Sequence, residues 1–287
     1  MPELPEVENV ALALRQGLQG RRLTGLRVRF AGVLGQSARR TRAALLGRTL
    51  THVHRHGKYL ILTFAGDGGG AGAAAGDATG PALAAESYLM VHLRMTGQIF
   101  VQDDDPLDKH VHLSFDFDGL PVHYRDIRKF GRLVLVDDGQ RPSALAHVGP
   151  DMLRVRFRQW QAAIAGRRAP LKALLLDQGI AAGLGNIYAD EALFLAGLHP
   201  LARPTDLEAA QLRELLRRAK QVLRLAIRHG GTTFINFRNF HGRPGNFRRK
   251  LRVYGRAGEP CSRCGAVIER LVIAGRSSCF CPVCQAL

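Results

Sequence analysis

Four cysteines near the end of the chain have the spacing of a metal site. Cys261 and Cys264 form one C-x-x-C pair, and Cys281 and Cys284 form a second pair after sixteen intervening residues. Two such pairs at the ends of a hairpin bring four thiolates together tetrahedrally, which predicts one structural Zn²⁺ with no open position for catalysis. Two coincidental pairs or a redox site are the alternatives. The fifth cysteine, Cys279, is expected to pack in the interior.

The segment from residue 233 to residue 256 combines cationic and aromatic side chains. It reads TFINFRNFHGRPGNFRRKLRVYGR, with five aromatic residues and no acidic residue. Arginines suit contact with phosphates and aromatic rings suit stacking on bases, so the pattern favours nucleic-acid binding over a merely solvated basic loop. Further on, AGR at 274–276 predicts a hairpin turn that presents Arg276 at or near its tip; a solvated surface arginine is the alternative.

The charge balance points to a polyanionic partner. The 287 residues include 41 Lys and Arg against 24 Asp and Glu, a formal net charge of +17. Charge of this size bears on binding rather than on fold. Most of the basic residues are arginines, whose planar guanidinium suits phosphate, and no basic amphipathic segment suggests membrane attachment. Nucleic acid is therefore favoured over an anionic membrane.

The elements that must position these groups differ between the two halves of the chain. Short runs typical of strands occur at 26–30, 57–64, 87–93, 110–117 and 131–136. Their spacing predicts an antiparallel β-sandwich. His52, His54 and His56 alternate as on one strand face, and an exposed or DNA-facing strand is favoured there over a metal site.

The second half of the chain is predicted to be helical. Apolar residues recur at helical spacing between Leu212 and Ile227, with Thr205 and Glu208 as an expected capping box and glycines at 230–231 as the stop. The stretch 174–194 breaks a helical pattern at AGLGN and resumes it, which indicates two helices joined by a glycine turn. Backbone N–H groups at the second helix start can hold a phosphate, and Asn186 there is expected to act as a cap, a phosphate ligand or both.

The opening MPELPEVE is only partly explained by helix geometry. Pro5 and Glu6 suit the first turn of a helix that continues through Val7 to Leu18, whereas Pro2 and Glu3 have no such explanation. The opening residues lack the basic and apolar pattern of a signal peptide, and no run of 18 apolar residues occurs. A cytosolic protein with reduced thiols is expected.

Seven motifs, taken in order, resemble the formamidopyrimidine-DNA glycosylase family over almost the whole chain. They are MPELPEVE, HGKYL (56–60), HLRMTG (92–97), DIRKFG (126–131), DQGIAAGLGNIYADEALF (177–194), HGGTT (229–233) and the closing cysteine hairpin.

The resemblance implies an α+β fold with an N-terminal helix, an antiparallel β-sandwich, a helix-two-turn-helix and a zinc ribbon. Expected boundaries are 1–137 for the N-terminal catalytic domain and 138–150 for a linker. Residues 151–287 are expected to form the helical DNA-binding domain, with the zinc ribbon at 255–287. The expected partner is damaged double-stranded DNA, and the expected location is the bacterial cytosol or nucleoid. We expect a monomer, because no feature demands a protein partner.

The resemblance also implies an activity: removal of oxidised purines such as 8-oxoguanine, followed by cleavage of the strand. Once Met1 is removed, Pro2 bears a secondary amine, which would form a Schiff base with the damaged nucleotide. Glu3 matches the acid that protonates the sugar ring oxygen. Glu6 matches a supporting carboxylate.

The remaining family positions are expected to grip DNA. Lys58 matches a lysine that holds a phosphate beside the lesion and assists elimination. His92, Asn186 and Arg276 match further phosphate contacts.

Met95, Arg128 and Phe130 match three residues that fill the space left by a flipped nucleotide. Methionine and phenylalanine are suitable wedges, and arginine can hydrogen-bond the widowed base.

Some positions depart from the family pattern. Asn246 replaces a frequent aromatic residue and Ile235 a frequent Lys or Arg, so the lesion preference of the enclosing loop 233–249 is left open. Thr96, next to Met95, is another position at which members differ. The Gly and Ala tract at 65–86 is unusual and no function is assigned to it.

Three other functions compete with this interpretation. An endonuclease VIII-like member would excise oxidised pyrimidines, although the LPEVE sequence and the complete Met, Arg and Phe set favour purines. A non-catalytic zinc-ribbon DNA-binding protein would not need a Pro2 amine. An N-terminal-proline tautomerase would explain neither the cysteines nor the charge.

Overall fold

The computed structural model describes residues 2–66, 86–101, 108–136, 145–232 and 245–287. Most of the tract 65–86, part of the expected linker 138–150 and most of the loop 233–249 lie outside the described residues. The chain divides into two compact units. Among the described residues, the first unit holds Pro2 and residues 6–146, and the second holds Glu3–Pro5, residues 147–232 and Gly245–Leu287.

The first unit is the predicted antiparallel β-sandwich with an N-terminal helix. Its helices are α1 (Leu4–Leu18), whose first two residues are counted with the second unit, and α2 (Ala38–Leu45). Its strands are β1 (Leu23–Val28), β2 (Thr49–His56), β3 (Tyr59–Ala65), β4 (Glu86–His92), β5 (Gly97–Val101), β6 (Val111–Phe117), β7 (Leu120–Asp126) and β8 (Arg132–Val136).

The eight strands form two four-stranded sheets, in the orders β1-β6-β7-β5 and β2-β3-β4-β8, with antiparallel neighbours. Apolar side chains from both sheets and from α1 share one core. The alternating histidines lie on β2, where His52 and His54 are exposed as expected. Strands β5 and β7 were not predicted. Strand β7 carries Pro121 near its start, which weakens the strand pattern there.

The second unit is helical and ends in a two-stranded hairpin. Its helices are α3 (Phe157–Ile164), α4 (Leu171–Leu176), α5 (Asn186–Ala196) and α6 (Ala209–Arg228), and its strands are β9 (Glu269–Ile273) and β10 (Arg276–Phe280). Helices α4 and α5 are the pair joined by the glycine turn. The apolar face of α6 packs in the core of this unit as its periodicity predicts.

The start of α6 differs from the prediction, whereas its end agrees. Glu208 caps the helix in a capping box with Gln211, and the expected Thr205–Glu208 box is wrong. Thr205 instead lies in a separate 3₁₀ turn, and Leu207 is extended, so the chain becomes helical only at Ala209. At the other end, glycines 230 and 231 adopt positive φ values of 75° and 80° and terminate the helix.

No helix within the described ranges combines the length and the apolar composition needed to span a bilayer.

Candidate functional site

Glu3 lies against the N-terminal end of α5 within the second unit. Its Oε2 accepts hydrogen bonds from the backbone N–H of Gly185 (2.6 Å) and Tyr188 (3.4 Å), and its Oε1 accepts one from Ile187 (2.9 Å). The backbone N–H of Leu4 bonds to the carbonyl of Gly183 (3.1 Å). The carboxyl group is buried, so these contacts fix both its position and its orientation.

Two glycines make this approach possible. A Cβ at Gly185 would lie 2.5 Å from Cδ of Glu3, and a Cβ at Gly183 would lie 2.4 Å from Cδ1 of Leu4. Gly183 also has a φ of 130°, which side chains rarely adopt. The motif AGLGN is therefore required where the chain start meets α5.

The helix start expected to hold a phosphate is thus occupied by a carboxylate of the protein itself. Three of the N–H groups there bond to Glu3. Asn186 is the first residue of α5 and is not its cap, because the N-cap position is occupied by Gly185. The Asn186 Nδ2 donates to the carbonyl of Ser277 on β10 (2.8 Å), and its Oδ1 is buried without a partner among the described residues.

A buried ion pair, which the sequence did not reveal, joins α4, α5 and β10. Lys172 Nζ donates to Asp190 Oδ1 (2.5 Å) and to the carbonyl of Asn186 (2.9 Å). Ser278 Oγ and the Cys279 N–H also donate to Asp190, at 2.5 and 3.0 Å. Burial lowers the pKa of Lys172 and raises the pKa of Asp190, and their attraction opposes both shifts. The pair locks the start of α5 to the hairpin strand.

Glu191, next to this pair, holds the segment that leads to the hairpin. Its carboxylate accepts backbone N–H bonds from Arg252, Val253 and Tyr254 at 2.9 to 3.0 Å. Burial raises the pKa of Glu191, and the N–H donors oppose that shift. Two adjacent acids within an otherwise mostly apolar stretch are the sequence signal that marks Asp190 and Glu191 as unusual, but only the fold identifies the groups that they bind.

The predicted turn at 274–276 is present and exposes Arg276. Ala274 and Gly275 have φ values of 49° and 72°, as a two-residue type I′ turn requires. Arg276 begins β10 and pairs with Ile273 across the hairpin. The side chain of Arg276 is exposed.

The four predicted zinc ligands come together. Their Sγ atoms all lie within 4.8 Å of one another, including pairs at 3.4 Å (Cys264 and Cys281) and 4.0 Å (Cys261 and Cys284). Zn–S bonds of about 2.3 Å in a tetrahedron place sulfurs roughly 3.8 Å apart, so the cluster fits one Zn²⁺. The spacing is too long for disulfides, and Cys279 packs in the buried cluster beside the site.

Three proposed catalytic residues, Pro2, Glu6 and Lys58, are buried in the first unit. Pro2 and Glu6 have little exposed surface, and Glu6 lies in the first turns of α1. Lys58 follows Gly57, whose φ is 56°, in the tight connection between β2 and β3. The residue as a whole is only 5% exposed, which is uncommon for lysine.

His92 is a neutral hydrogen-bonding group. Its Nδ1 accepts the backbone N–H of Arg94 (3.0 Å), and its ring packs edge-on against Tyr59. Burial, followed by the positive charges of Arg94 and Lys58, lowers the pKa of His92 from 6.5 to about 3. At neutral pH the ring therefore carries its proton on Nε2, which is left as a donor.

Met95, Arg128 and Phe130 form one exposed cluster in the first unit. The Arg128 Nη1 lies 2.9 Å from Met95 Sδ, and its guanidinium lies 4.5 Å from the centre of the Phe130 ring. Met95 is 42% exposed and Phe130 48% exposed, which is unusual for large apolar side chains. The predicted void-filling residues are thus brought together at a surface.

Family models match most of the chain. Residues 1–133 match the formamidopyrimidine-DNA glycosylase N-terminal domain, residues 148–237 its H2TH domain, and residues 258–287 a zinc finger found in FPG and IleRS.

Curated relatives match over the full length. The formamidopyrimidine-DNA glycosylase of Chloroflexus aurantiacus is 41% identical over 290 residues, covering 99% of this chain and 98% of the relative. The protein of the same name from Herpetosiphon aurantiacus is 40% identical over 292 residues, covering 100% of both chains.

Solved structures agree with the sequence matches. A mutant of the Lactococcus lactis FPG, in complex with a Fapy-dG containing DNA, superposes with a TM-score of 0.85 at 31% identity over 100% of both chains. The MutM (FPG) protein of Thermus thermophilus has a TM-score of 0.82 at 36% identity, covering 99% of this chain and 98% of that protein. Fold and sites define a DNA glycosylase of the helix-two-turn-helix class with a zinc finger. The chain belongs to the formamidopyrimidine-DNA glycosylase family.

The family membership confirms the predicted fold, the zinc site and the general function. The protein is a DNA glycosylase of base-excision repair, for which AP lyase activity is a general property of the family. Its partner is DNA, and its cysteine cluster is a structural zinc finger.

Proposed function

We propose that this protein excises oxidised purines from duplex DNA and then cleaves the strand, with the Pro2 nitrogen as nucleophile. The observation that carries the proposal is the fixed, buried carboxylate of Glu3, which is covalently adjacent to Pro2. A carboxylate held in this way lies beside an amine whose ordinary pKa, near 8, leaves part of it unprotonated at neutral pH.

The first step forms a bond from the Pro2 nitrogen to C1′ of the damaged nucleotide. The bond from C1′ to the base breaks, and the base departs with that electron pair and takes a proton from water. Pro2 then carries a positive charge and one N–H proton. Because a secondary amine has only that one proton to lose, the next step depends on a nearby acceptor.

Glu3 is the proposed acceptor and carrier of this proton. The carboxylate takes the proton from the Pro2 nitrogen and delivers it to O4′ of the sugar. The bond between C1′ and O4′ then breaks, and the nitrogen lone pair forms the iminium. Glu6, buried in the first turns of α1, is a supporting carboxylate in this proposal.

The iminium makes the C2′ proton acidic, so elimination follows. Water takes the C2′ proton, the bond from C3′ to the 3′ phosphate oxygen breaks, and a double bond forms between C2′ and C3′. Loss of the C4′ proton to water then breaks the bond from C5′ to the 5′ phosphate oxygen, so each phosphate leaves with the electron pair of the broken bond. Lys58 is proposed to hold a phosphate beside the lesion during these steps. A lysine that is buried in a tight turn suits this role, because the surrounding residues restrict the positions that its ammonium group can take.

The further phosphate contacts in this proposal are of two kinds, neutral N–H donors and a cation. They are His92, Asn186 and Arg276. Since the pKa of His92 is lowered to about 3, its Nε2 donates a hydrogen bond without charge. Asn186 likewise offers only an amide N–H, whereas Arg276 is an exposed cation.

The two kinds of contact predict different salt dependences of binding. We expect Arg276→Gln to reduce the slope of log affinity against log salt by about 0.9, as loss of one neutralised phosphate does. His92→Gln should weaken binding without changing the slope. Titration of undamaged duplex at several salt concentrations measures both, and a slope change in His92→Gln would contradict its neutral state.

Met95, Arg128 and Phe130 are proposed to fill the space vacated by the flipped nucleotide. Their mutual contacts and exposure support this, because the apolar surface is available to insert between bases. In our proposal, the complete trio and the LPEVE start, which resemble the purine-specific members of the family, favour purine lesions.

Oxidised pyrimidines are the second candidate substrate. Another structure of the wild-type Lactococcus lactis FPG contains an oxidized pyrimidine in its DNA, with a TM-score of 0.84 at 31% identity. The test must therefore compare both lesion classes.

Borohydride trapping tests the proposal. Mass spectrometry first establishes that Met1 is absent, and the protein is then mixed with duplexes carrying 8-oxoguanine or an oxidised pyrimidine. We expect a covalent adduct with the purine duplex that forms faster than any adduct with the pyrimidine duplex. A Gly-Ser extension that precedes Pro2 should abolish trapping, whereas Pro5→Ala should retain it. Faster trapping on the pyrimidine duplex would favour the second candidate, and no adduct on either duplex would refute the mechanism.

We propose a monomer of the bacterial cytosol or nucleoid, with domains at 1–137 and 151–287 joined by 138–150. Sedimentation of the free protein and of its DNA complex tests the monomer.

A further inference from the structure

One buried carboxylate contacts both loops that carry the proposed void-filling residues. Asp126, at the end of β7, has no exposed surface. Its Oδ1 accepts a hydrogen bond from Thr96 Oγ1 and another from the backbone N–H of Arg128 (3.2 Å). We call residues 93–96, between β4 and β5, the methionine loop, and residues 127–131, between β7 and β8, the arginine loop. Because Thr96 directly follows Met95, a single oxygen atom of Asp126 links the two loops.

The Thr96 hydroxyl completes a closed triangle of hydrogen bonds. While it donates to Asp126, its oxygen accepts the Arg128 N–H at 3.1 Å. A threonine hydroxyl can donate one hydrogen and accept others, whereas valine of the same shape can do neither. The triangle therefore depends on the hydroxyl itself.

The second carboxylate oxygen fixes the far end of the arginine loop. Oδ2 accepts the Gly131 N–H (2.7 Å) and the Tyr124 hydroxyl (3.3 Å). A Cβ at Gly131 would lie 1.8 Å from the Tyr124 oxygen, so glycine is required. Burial and the Asp126 charge raise the pKa of Tyr124, which keeps its hydroxyl a donor.

Both loops hold strained backbone next to the inserting side chains. Arg94 and Lys129 have φ values of 54° and 58°, in the left-handed region that side chains rarely adopt. Such residues persist when the surrounding contacts over-determine them, and the Asp126 hydrogen bonds supply contacts of this kind.

We propose that Asp126 and Thr96 are positioning residues that set Met95, Arg128 and Phe130 as one rigid wedge. The inference rests on the void-filling role proposed for that trio. Without the Thr96 hydroxyl, the methionine loop and the arginine loop move independently, and Arg128 no longer meets the widowed base in a fixed position. Discrimination between opposite bases then weakens along with excision from duplex DNA.

Thr96→Val removes the hydroxyl at constant shape, and Thr96→Ser restores it. Thr24→Val is the matched control. The Thr24 hydroxyl on edge strand β1 also donates to an aspartate, Asp116 on β6 (2.7 Å), but this pair lies at the other edge of the sheet from the β5 and β7 pair. The assay measures single-turnover excision of 8-oxoguanine from duplexes with cytosine or adenine opposite. Borohydride trapping on a single-stranded abasic oligonucleotide reports the Pro2 chemistry without a widowed base.

We expect Thr96→Val to slow duplex excision by roughly 10- to 150-fold, as loss of one hydrogen bond to a charged group predicts, and to reduce the cytosine-to-adenine rate ratio. Trapping on the single strand should stay within about twofold of wild type, which is the scatter expected when no contact is lost. Thr96→Ser and Thr24→Val should behave as wild type.

Unchanged duplex rates and an unchanged base ratio in Thr96→Val would overturn the proposal. Equal losses on duplex and single strand would also overturn it, because they indicate general destabilisation. Absence of trapping by the wild-type protein would instead refute the Pro2 mechanism. If Thr96→Val does not fold, the second variant Asp126→Asn, compared with Asp116→Asn, tests the same rate ratio.

Discussion

Adding one methyl group at Gly185 is expected to slow the reaction by displacing Glu3. The new Cβ would lie 2.5 Å from Cδ and 2.6 Å from Oε1 of Glu3, so the carboxylate must move. Gly185 itself has φ −127° and ψ −156°, which alanine can adopt, so the effect is steric and not conformational.

The expected reduction in rate follows from the hydrogen bonds that Glu3 would lose. Glu3 accepts bonds of 2.6 and 2.9 Å from Gly185 and Ile187. Loss of one bond to a charged group costs about 1.5 to 3 kcal/mol, which corresponds to a rate reduction of roughly 10- to 150-fold. We therefore expect Gly185→Ala to trap DNA about 10- to 150-fold more slowly.

The assay is single-turnover borohydride trapping on an 8-oxoguanine duplex. Gly66→Ala is the control, because a Cβ there meets nothing within 4 Å. Thermal melting checks that both variants are folded. Glu3→Gln combined with Gly185→Ala should be little worse than Glu3→Gln alone, since both changes act on one group. Wild-type rates in Gly185→Ala, or fully additive losses in the double variant, would show that the added methyl group does not act through Glu3.

Three further predictions concern stability, metal and pH. Lys172→Met should lower the free energy of unfolding in urea by about 3–5 kcal/mol, because Asp190 is left buried without its cation. Adding Asp190→Leu should recover part of the loss, and full stability of Lys172→Met alone would contradict the prediction. Cys264→Ser should lower bound zinc below one per chain by atomic absorption and weaken duplex binding, whereas unchanged zinc would exclude Cys264 as a ligand. Since the pKa of His92 is lowered from 6.5 to about 3, the unfolded chain binds a proton there that the folded protein does not. Stability should therefore fall as pH drops from about 6.5 towards 3, and His92→Gln should flatten that fall; equal slopes would contradict it.

Features defined by local spacing could be predicted from the sequence. Two C-x-x-C pairs specify four thiolates wherever the hairpin forms, and the cluster agrees. The period of apolar residues located α6, and the AGR motif located the hairpin turn. In each case the information lies within a few dozen consecutive residues.

Contacts between distant residues could not be predicted in this way. Glu3 bonds to residues more than 180 positions away, and its place at the start of α5 replaced the phosphate that local reasoning assigned there. Asp190 meets Ser278 across 88 positions, and Asp126 meets Thr96 across 30. Polar residues have no periodicity that marks a buried partner, so only the fold reveals such pairs.

The position of the covalent bond in the trapped complex tests whether Pro2 is the nucleophile. The borohydride-reduced adduct is digested with protease and nuclease, and the modified peptide is sequenced by tandem mass spectrometry. We expect the sugar remnant on the nitrogen of Pro2 in the N-terminal peptide. A remnant on the side chain of Lys58, or on any other lysine, would contradict it.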